Sequence, residues 1–167
     1  MSRLSSAIRL TGDAAQEDVA DLAALVAGRG LTVATAESLT AGTIASGLAA
    51  APDAAGWFRG SVVAYSPEVK FGLLGVPRGP VVTRECATTM ARATASLLAA
   101  DLCVAVTGLG GPGPDPAEDE PPGTVWFAVV GPDGTEHAER HVFDGDPVDV
   151  LTATTEHALA LLRQALG

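Results

Sequence analysis

The sequence predicts an α/β fold in which helices cover both faces of a mixed, mostly parallel sheet. Short apolar segments alternate along the chain with longer segments of helical periodicity. Residues 101–107 are almost continuously apolar, which is typical of a strand buried on both faces. The turn at residues 131–134 joins the last two strand segments into a hairpin, and this hairpin makes the sheet mixed.

The elements of the first half follow from local signals. Apolar residues recur at helical spacing in residues 13–30, where Gly28 and Gly30 end a helix, and residues 31–36 form a short strand. A second helix is predicted for residues 40–51, because they are rich in alanine and Pro52 ends them, and residues 60–65 form the next strand. Ser66 suits a helix N-cap and Pro67 the first turn, so residues 66–74 are predicted to be helical.

The second half continues the alternation. Thr83 is a suitable N-cap for a long helix at residues 83–100, and the buried strand at residues 101–107 follows. Glycine, proline and then acidic residues predict a loop at residues 108–122. Residues 123–130 and 135–143 form the hairpin, and residues 146–166 the closing helix. We expect residues 1–12 to be a flexible tail and residues 13–167 to be a single domain.

Composition narrows the classes of function. A hydrophobic content of 47% excludes global disorder, and a net charge of −10 argues against a nucleic-acid partner. No apolar run is long enough to cross a membrane. Two cysteines are too few for a disulfide framework or a cysteine-built zinc site. We therefore expect a cytoplasmic protein with neither a nucleic-acid nor a membrane partner.

The basic residues single out Lys70. Nine of the ten are arginine, and the only lysine, Lys70, follows the only tyrosine, Tyr65, by five positions. Arginine cannot serve where a side chain must lose its proton, because the guanidinium group stays charged. Lys70 is therefore a candidate general base; the alternative is a surface lysine whose stem covers apolar neighbours.

Ser38 and a glycine-rich segment at residues 108–113 are further candidates for a functional site. Ser38 lies between a predicted strand and a helix start, where it is either a nucleophile or a simple N-cap. Residues 108–113 match the letters G-x-G-x-x-G, but no helix follows them, so a dinucleotide-binding fold is rejected. This segment either presents N–H groups to an anion or is a plain loop. Because ligands bind beyond the carboxyl ends of parallel strands, residues 37–42, 65–70 and 107–113 are expected to meet there.

Three charged clusters are interpreted without a function. Glu139 and the two histidines at positions 137 and 141 share one face of a predicted strand, which we expect to be solvated rather than a zinc site. The aspartates within residues 144–149 lack EF-hand spacing and are expected to form a turn and an N-cap. Residues 118–120 are expected to form a solvated acidic loop.

Several separated blocks carry a resemblance to a known family. They are A-E-S-x-T-x-G at residues 36–42, A-x-W-F-x-G at 55–60, Y-S-x-E-x-K at 65–70, L-G-V at 74–76, T-G-x-x-G-P-G at 107–113 and P-G-T-V-W-F at 122–127. Together they resemble the CinA C-terminal family, whose characterised members are nicotinamide-nucleotide amidohydrolases. The resemblance runs from about residue 15 to the end of the chain.

The resemblance implies a three-layer α/β/α sandwich, usually a homodimer, with no metal and no cofactor. It implies deamidation of nicotinamide mononucleotide to nicotinate mononucleotide and ammonia, in pyridine-nucleotide salvage. Ser38 matches the family's nucleophile and Lys70 its general base, while Tyr65 lies in the same motif and is expected to orient or assist. The matching blocks imply a set of substrate-binding residues, namely Glu37, Thr40, Gly42, Thr107, Gly108, Gly110 and Gly111.

The chain departs from the family's pattern where cations could meet the substrate phosphate. Glu120 and Pro121 stand where the family usually has a lysine, and Pro147 where it usually has an arginine. Two alternatives to the amidohydrolase therefore stay open. One is a non-catalytic nucleotide-binding module of the same fold, and the other is an amidase for a non-phosphorylated amide.

Overall fold

The computed structural model describes residues 13–167, and the predicted tail at residues 1–12 lies outside them. The strands are β1 (Val33–Glu37), β2 (Phe58–Val63), β3 (Leu102–Gly108), β4 (Thr124–Val130) and β5 (Glu136–Val142). The helices are α1 (Asp13–Arg29), α2 (Thr43–Ala49), α3 (Ala54–Trp57), α4 (Pro67–Leu74), α5 (Arg84–Leu97) and α6 (Pro147–Gln164). No helix within the described range is long and apolar enough to span a bilayer.

The five strands form one sheet in the order β2-β1-β3-β4-β5. Strand β1 pairs in parallel with both β2 and β3, whereas the pairs β3–β4 and β4–β5 are antiparallel. Four of the five strands thus run in one direction and only β4 runs against them. The predicted mixed, mostly parallel sheet is confirmed.

Two hydrophobic clusters separate the sheet from its helices. One cluster joins the sheet to α1, α2 and α6, and the other joins it to α4 and α5. Because side chains alternate along a strand, Val104 and Val106 of β3 enter the first cluster and Ala105 enters the second. Strand β3 is buried on both faces, as its apolar sequence predicts. The three-layer α/β/α sandwich is therefore confirmed.

The segment between β1 and β2 differs from the prediction. Helix α2 begins at Thr43 instead of residue 40, because residues 38–42 form a turn in which Ala41 (φ 49°) and Gly42 (φ 96°) are left-handed. Helix α3 was not predicted from the local sequence pattern, and it carries the buried Trp57. The indole N–H donates to the carbonyl of Pro52 over 3.1 Å. Burial of this indole overrides the weak helix propensity of the glycine-containing segment.

The last strand and helix correct one further expectation. Asp146 is the N-cap of α6, as predicted for this aspartate-rich segment, and it forms a capping box with Asp149. The polar face of β5 is solvated only at His137. Further along the strand, Glu139 and His141 are half-buried beside His157 of α6, so the expectation of a solvated face is wrong for these two residues.

Candidate active site

Ser38 and Lys70 lie side by side at the carboxyl edge of the sheet. Ser38 directly follows β1, and Lys70 lies in α4, after the neighbouring parallel strand β2. The Nζ–H of Lys70 donates to Ser38 Oγ over 2.8 Å. Parallel neighbours end at the same edge of a sheet, and this topology brings the two distant motifs together.

The turn that presents Ser38 is built around the carboxylate of Glu37, which is fully buried. This carboxylate accepts hydrogen bonds from three backbone N–H groups, those of Gly42, Ile44 and Ala45. It also accepts from three hydroxyls, those of Thr35, Thr40 and Ser61. Glu37 thus satisfies the first N–H groups of α2, whose N-cap, Gly42, offers no side chain. The interpretation of Ser38 as an N-cap is therefore wrong, and its hydroxyl faces Lys70 instead.

Helix α4 holds Lys70 on its inner side. Ser66 is the N-cap, with its Oγ accepting the N–H of Val69 over 3.4 Å, and Pro67 occupies the first turn, both as predicted. Lys70 is 1% exposed, and its Nζ also donates to the backbone carbonyl of Tyr65 over 3.4 Å. The interpretation of Lys70 as a surface lysine is therefore wrong.

Burial lowers the pKa of the Lys70 amine below its ordinary value of 10.5. Negative charge on Cys86 or Glu118 would raise this pKa, but both effects are smaller than that of burial. Burial also raises the pKa of the Cys86 thiol to about 11, so the thiol is neutral near pH 7. Because burial lowers its pKa, the Lys70 amine gives up its proton more readily than the amine of an exposed lysine.

The acidic loop is held against the fold and is not freely solvated. The carboxylate of Glu118 accepts from the N–H groups of Val81 and Val82 over 2.7 and 2.9 Å. Glu120 forms an ion pair with Arg140 of β5 over 2.6 Å. The expectation of a solvated loop at residues 118–120 is therefore wrong for both glutamates. Their partners lie far away in sequence, and no local pattern indicated them.

A pocket of about 430 Å³ opens beside Ser38 and Tyr65, and Tyr65 itself is 68% exposed. The other lining residues come from the turn after β1, the loop after β3 and the start of α6. They are Leu39, Gly108, Leu109, Gly110, Gly111, Gly113, Asp115, Pro147 and Leu151. Among these described lining residues, Asp115 alone carries a charged side chain. The pocket thus brings together the hydroxyl of Ser38, the ring of Tyr65 and a glycine-rich wall formed by Gly108, Gly110, Gly111 and Gly113.

The glycine-rich wall needs its glycines for different reasons. A Cβ on Gly108 would lie 2.6 Å from the carbonyl oxygen of Thr124, so only glycine fits where β3 meets β4. Hydrogen bonds from Leu109 N–H to Thr124 O and from Gly123 N–H to Leu109 O then fix the start of the loop. At Gly110 the missing side chain leaves open space, so a ligand can approach the backbone there.

The structure divides the predicted substrate-binding residues into two groups. Gly108, Gly110 and Gly111 line the pocket. The other four are absent from the lining and bond within the protein: Glu37, Thr40, Gly42 and Thr107. Thr107, for example, donates from Oγ1 to the carbonyl of Val81 over 2.8 Å. Direct substrate contact by these residues stays a prediction.

Local sequence patterns did not indicate the part of the pocket that comes from α6. Position 147 was expected near the substrate only through the resemblance to the family, whereas Leu151 was not expected at all, and both line the pocket. Asp115 was missed as well, since it lies in a loop without a regular pattern. Only the packing of α6 over the sheet places its first turns at the pocket, and the sequence carries no local sign of that packing.

Known proteins share both the sequence and the fold. The family model for the CinA C-terminal domain matches residues 15–166. A CinA-like protein of Mycobacterium avium is 41% identical over 154 residues, which cover 87% of this chain and 35% of that protein. A CinA-like protein of Frankia casuarinae is 39% identical over 149 residues, covering 86% of this chain and 34% of that protein. The chain therefore spans about a third of the length of these curated relatives.

Solved structures share the fold of this chain, and the shared part covers nearly the whole length of both chains. A competence or damage-inducible protein from Enterobacter asburiae has a TM-score of 0.88 at 30% identity, covering 93% of this chain and 100% of that chain. A CinA superfamily protein from Klebsiella pneumoniae has a TM-score of 0.85 at 31% identity, covering 91% and 97% of the two chains. With the sequence match over residues 15–166 and the shared fold, the chain belongs to the CinA C-terminal domain family.

Proposed function

We propose that this protein is an amidohydrolase in which Ser38 is the nucleophile and Lys70 the general base. One observation carries the proposal: a buried amine with a lowered pKa lies 2.8 Å from a serine hydroxyl at the edge of a pocket. Serine–lysine pairs are a recognised form of nucleophilic catalysis. Nicotinamide mononucleotide is the first substrate to test, because the matching motifs belong to a family with that activity.

The reaction runs through an acyl-enzyme. The neutral amine of Lys70 takes the proton of the Ser38 hydroxyl while Oγ attacks the carboxamide carbon. The tetrahedral intermediate collapses as the protonated amine returns its proton to the leaving nitrogen, and ammonia departs. Lys70 then takes a proton from water, which attacks the ester carbon and releases the carboxylic acid and the Ser38 hydroxyl.

Backbone N–H groups at the pocket stabilise the oxyanion of this intermediate. The glycine-rich wall at Gly110 and Gly111 presents backbone without side chains, and each well-placed donor is worth roughly 3–4 kcal/mol. Tyr65 borders the same pocket, where its ring orients a planar amide substrate by stacking. Its carbonyl also accepts from Lys70 over 3.4 Å, which ties the two residues of the motif together.

A second candidate substrate is an amide without a phosphate group. Neither lysine nor arginine is found among the described residues that line the pocket, and Asp115 places a negative charge there. Pro147 lines the pocket at the position where an arginine is expected from the family's pattern. Glu120 stands where the family usually has a lysine and is paired with Arg140, and neither of these two residues lines the pocket. These features favour a substrate without a phosphate group over a phosphate ester.

Ammonia release decides between these possibilities. The wild type is incubated with nicotinamide mononucleotide and, separately, with the unphosphorylated riboside, and ammonia is measured with time. We expect Ser38→Ala and Lys70→Arg to lose at least about 100-fold in rate, because the first removes the nucleophile and the second cannot lose its proton. Ser46→Ala, an exposed serine of α2, is the matched control and keeps the wild-type rate.

Each other outcome has a defined meaning. Hydrolysis of the riboside alone would select the amidase for a non-phosphorylated amide. Binding of the mononucleotide without ammonia release would select the non-catalytic module. A fully active Lys70→Arg variant would exclude Lys70 as the base, whichever substrate is cleaved.

A further inference from the structure

All three histidines of the chain converge on one carboxylate, that of Glu139. Nε2 of His137 lies 2.6 Å from one carboxylate oxygen. Nε2 of His141 lies 2.8 Å from the other oxygen, which His157 also contacts through its Nε2. None of these residues lines the pocket at Ser38, so the proposed amidohydrolase makes no use of them.

Two neighbouring elements build this cluster. Glu139 and His141 are two positions apart in β5, so they share the face of the sheet that α6 covers, and α6 supplies His157. One ligand atom each from Glu139, His141 and His157 lies within 4.8 Å of the other two. His137 stands at the outer end of the cluster, with 62% of its side chain exposed.

Aromatic packing fixes the two inner imidazoles. His141 stacks on Phe143 with a centroid separation of 5.6 Å and an interplanar angle of 10°. The ring of Phe127 lies edge to face with both His141 and His157, at 5.7 and 4.7 Å. Held in this way, both Nε2 atoms face the same oxygen of Glu139. A cluster with oriented rings loses little conformational entropy when it binds a ligand.

Two imidazoles and one carboxylate are a donor set for a divalent transition-metal ion. Zn²⁺ accepts histidine nitrogen and carboxylate oxygen and often keeps a water as fourth ligand, whereas Mg²⁺ and Ca²⁺ prefer oxygen donors throughout. The three side chains are 27–38% exposed, which leaves room for that water. Tetrahedral zinc ligands lie about 3.3 Å apart, so the 2.8 Å contact between Glu139 and His141 has to widen by about 0.5 Å.

We propose that Glu139, His141 and His157 bind one divalent transition-metal ion, with zinc as the best fit, and that the ion joins β5 to α6. Protein nitrogen and oxygen supply three ligands and solvent the fourth. The two cysteines are buried elsewhere and do not compete for the ion. Because α6 also contributes Pro147 and Leu151 to the pocket, an ion at this cluster anchors an element of the pocket wall.

Zinc titration of the untagged, chelator-treated protein tests the proposal. Isothermal calorimetry on the wild type is expected to show one zinc ion bound per chain. A large excess of Mg²⁺ or Ca²⁺ should leave the zinc affinity unchanged. We expect His157→Gln and Glu139→Gln to weaken zinc binding at least about tenfold, since each removes a ligand. His137→Gln is the matched control, because it removes a histidine of the cluster outside the ligand set, and it should bind zinc as the wild type does.

Two further measurements keep the result interpretable. Circular dichroism and thermal unfolding without metal establish that each variant is folded; if His157→Gln is not, His141→Gln replaces it. Co²⁺ in place of zinc should give the intense visible absorption of a tetrahedral site in the wild type and in His137→Gln only. A wild type that binds no zinc, or equal binding by His137→Gln and both ligand variants, overturns the proposal and leaves a hydrogen-bonded cluster alone.

Discussion

Lys70 combines two properties that an exposed lysine does not have together: it is almost completely buried, and its amine contacts a serine hydroxyl. Burial favours the neutral amine, which is the form that accepts a proton. The composition of the chain pointed to this residue, because arginine fills every other basic position. What composition could not indicate was the partner, since the contact with Ser38 depends on the pairing of β1 with β2.

The lowered pKa of Lys70 predicts the pH dependence of the proposed activity. As the pH rises through that pKa, which lies below 10.5, kcat/KM should rise because the neutral amine becomes the main form. Initial rates of ammonia release across the pH range measure this rising part of the pH–rate profile. The residual activity of Lys70→Arg should not show this rise in kcat/KM with pH. A wild-type rise centred at or above 10.5 would contradict the assignment of Lys70 as the base.

The same pKa predicts how stability depends on pH. Between the lowered pKa of folded Lys70 and 10.5, the unfolded chain binds more protons at this residue than the folded chain does. The free energy of unfolding of the wild type, relative to that of Lys70→Met, should therefore rise with pH in this window and level off above 10.5. Urea unfolding of both proteins at several pH values measures the difference. A difference that falls with rising pH would mean that folding raises the pKa.

Among the elements, the turn between β1 and α2 depends on Glu37. In Glu37→Gln an amide N–H₂ replaces one carboxylate oxygen, and whichever oxygen it replaces, it faces at least one backbone N–H that cannot accept a hydrogen bond. We expect a loss of about 2–3 kcal/mol in the free energy of unfolding. Ser61→Ala, which removes only one long contact of 3.3 Å, is the control and should lose about 1 kcal/mol at most. Urea titration at neutral pH compares the two, and equal losses would contradict the role given to Glu37.

The end of β3 depends on the missing side chain of Gly108. A methyl group there meets the Thr124 carbonyl at 2.6 Å and a methyl carbon of Val125 at 2.8 Å, so the strands β3 and β4 must move apart. We expect Gly108→Ala to lose about 1–3 kcal/mol of stability by thermal or urea unfolding. Gly110→Ala is the matched control, since its Cβ would meet nothing within 4 Å. A larger loss for Gly110→Ala than for Gly108→Ala would contradict this account.

Most elements were predictable from local chemistry, and the exceptions depend on distant contacts. Ser66, Thr83 and Asp146 begin helices where their side chains suit an N-cap. By contrast, α2 begins late because a buried glutamate caps it from β1, and α3 forms because Trp57 is buried. The candidate site divides in the same way: its motifs were visible in the sequence, but the place of Leu151 at the pocket and of His157 beside Glu139 required the tertiary fold.

On the scale of the whole molecule, the net charge of −10 acts on the approach of an anionic substrate. Repulsion over distances near the Debye length, about 10 Å at 0.1 M salt, slows association of a phosphate ester. We therefore expect added salt to raise kcat/KM for nicotinamide mononucleotide, which is a net anion, and not to raise it for the riboside, whose pyridinium ring is a cation that the acidic protein attracts. Rates at several concentrations of sodium chloride measure this effect. A decrease with salt for the mononucleotide would indicate local cations that attract the phosphate.

The single lysine has a practical consequence for anyone who studies this molecule. Apart from the terminal amine, Lys70 offers the only primary amine in the sequence to acylating reagents. Its labelling rate, followed by mass spectrometry, therefore reports how often the interior beside Ser38 becomes accessible. Compounds that bind in the pocket should slow that labelling, so the labelling rate of the unmodified protein measures whether the pocket is occupied.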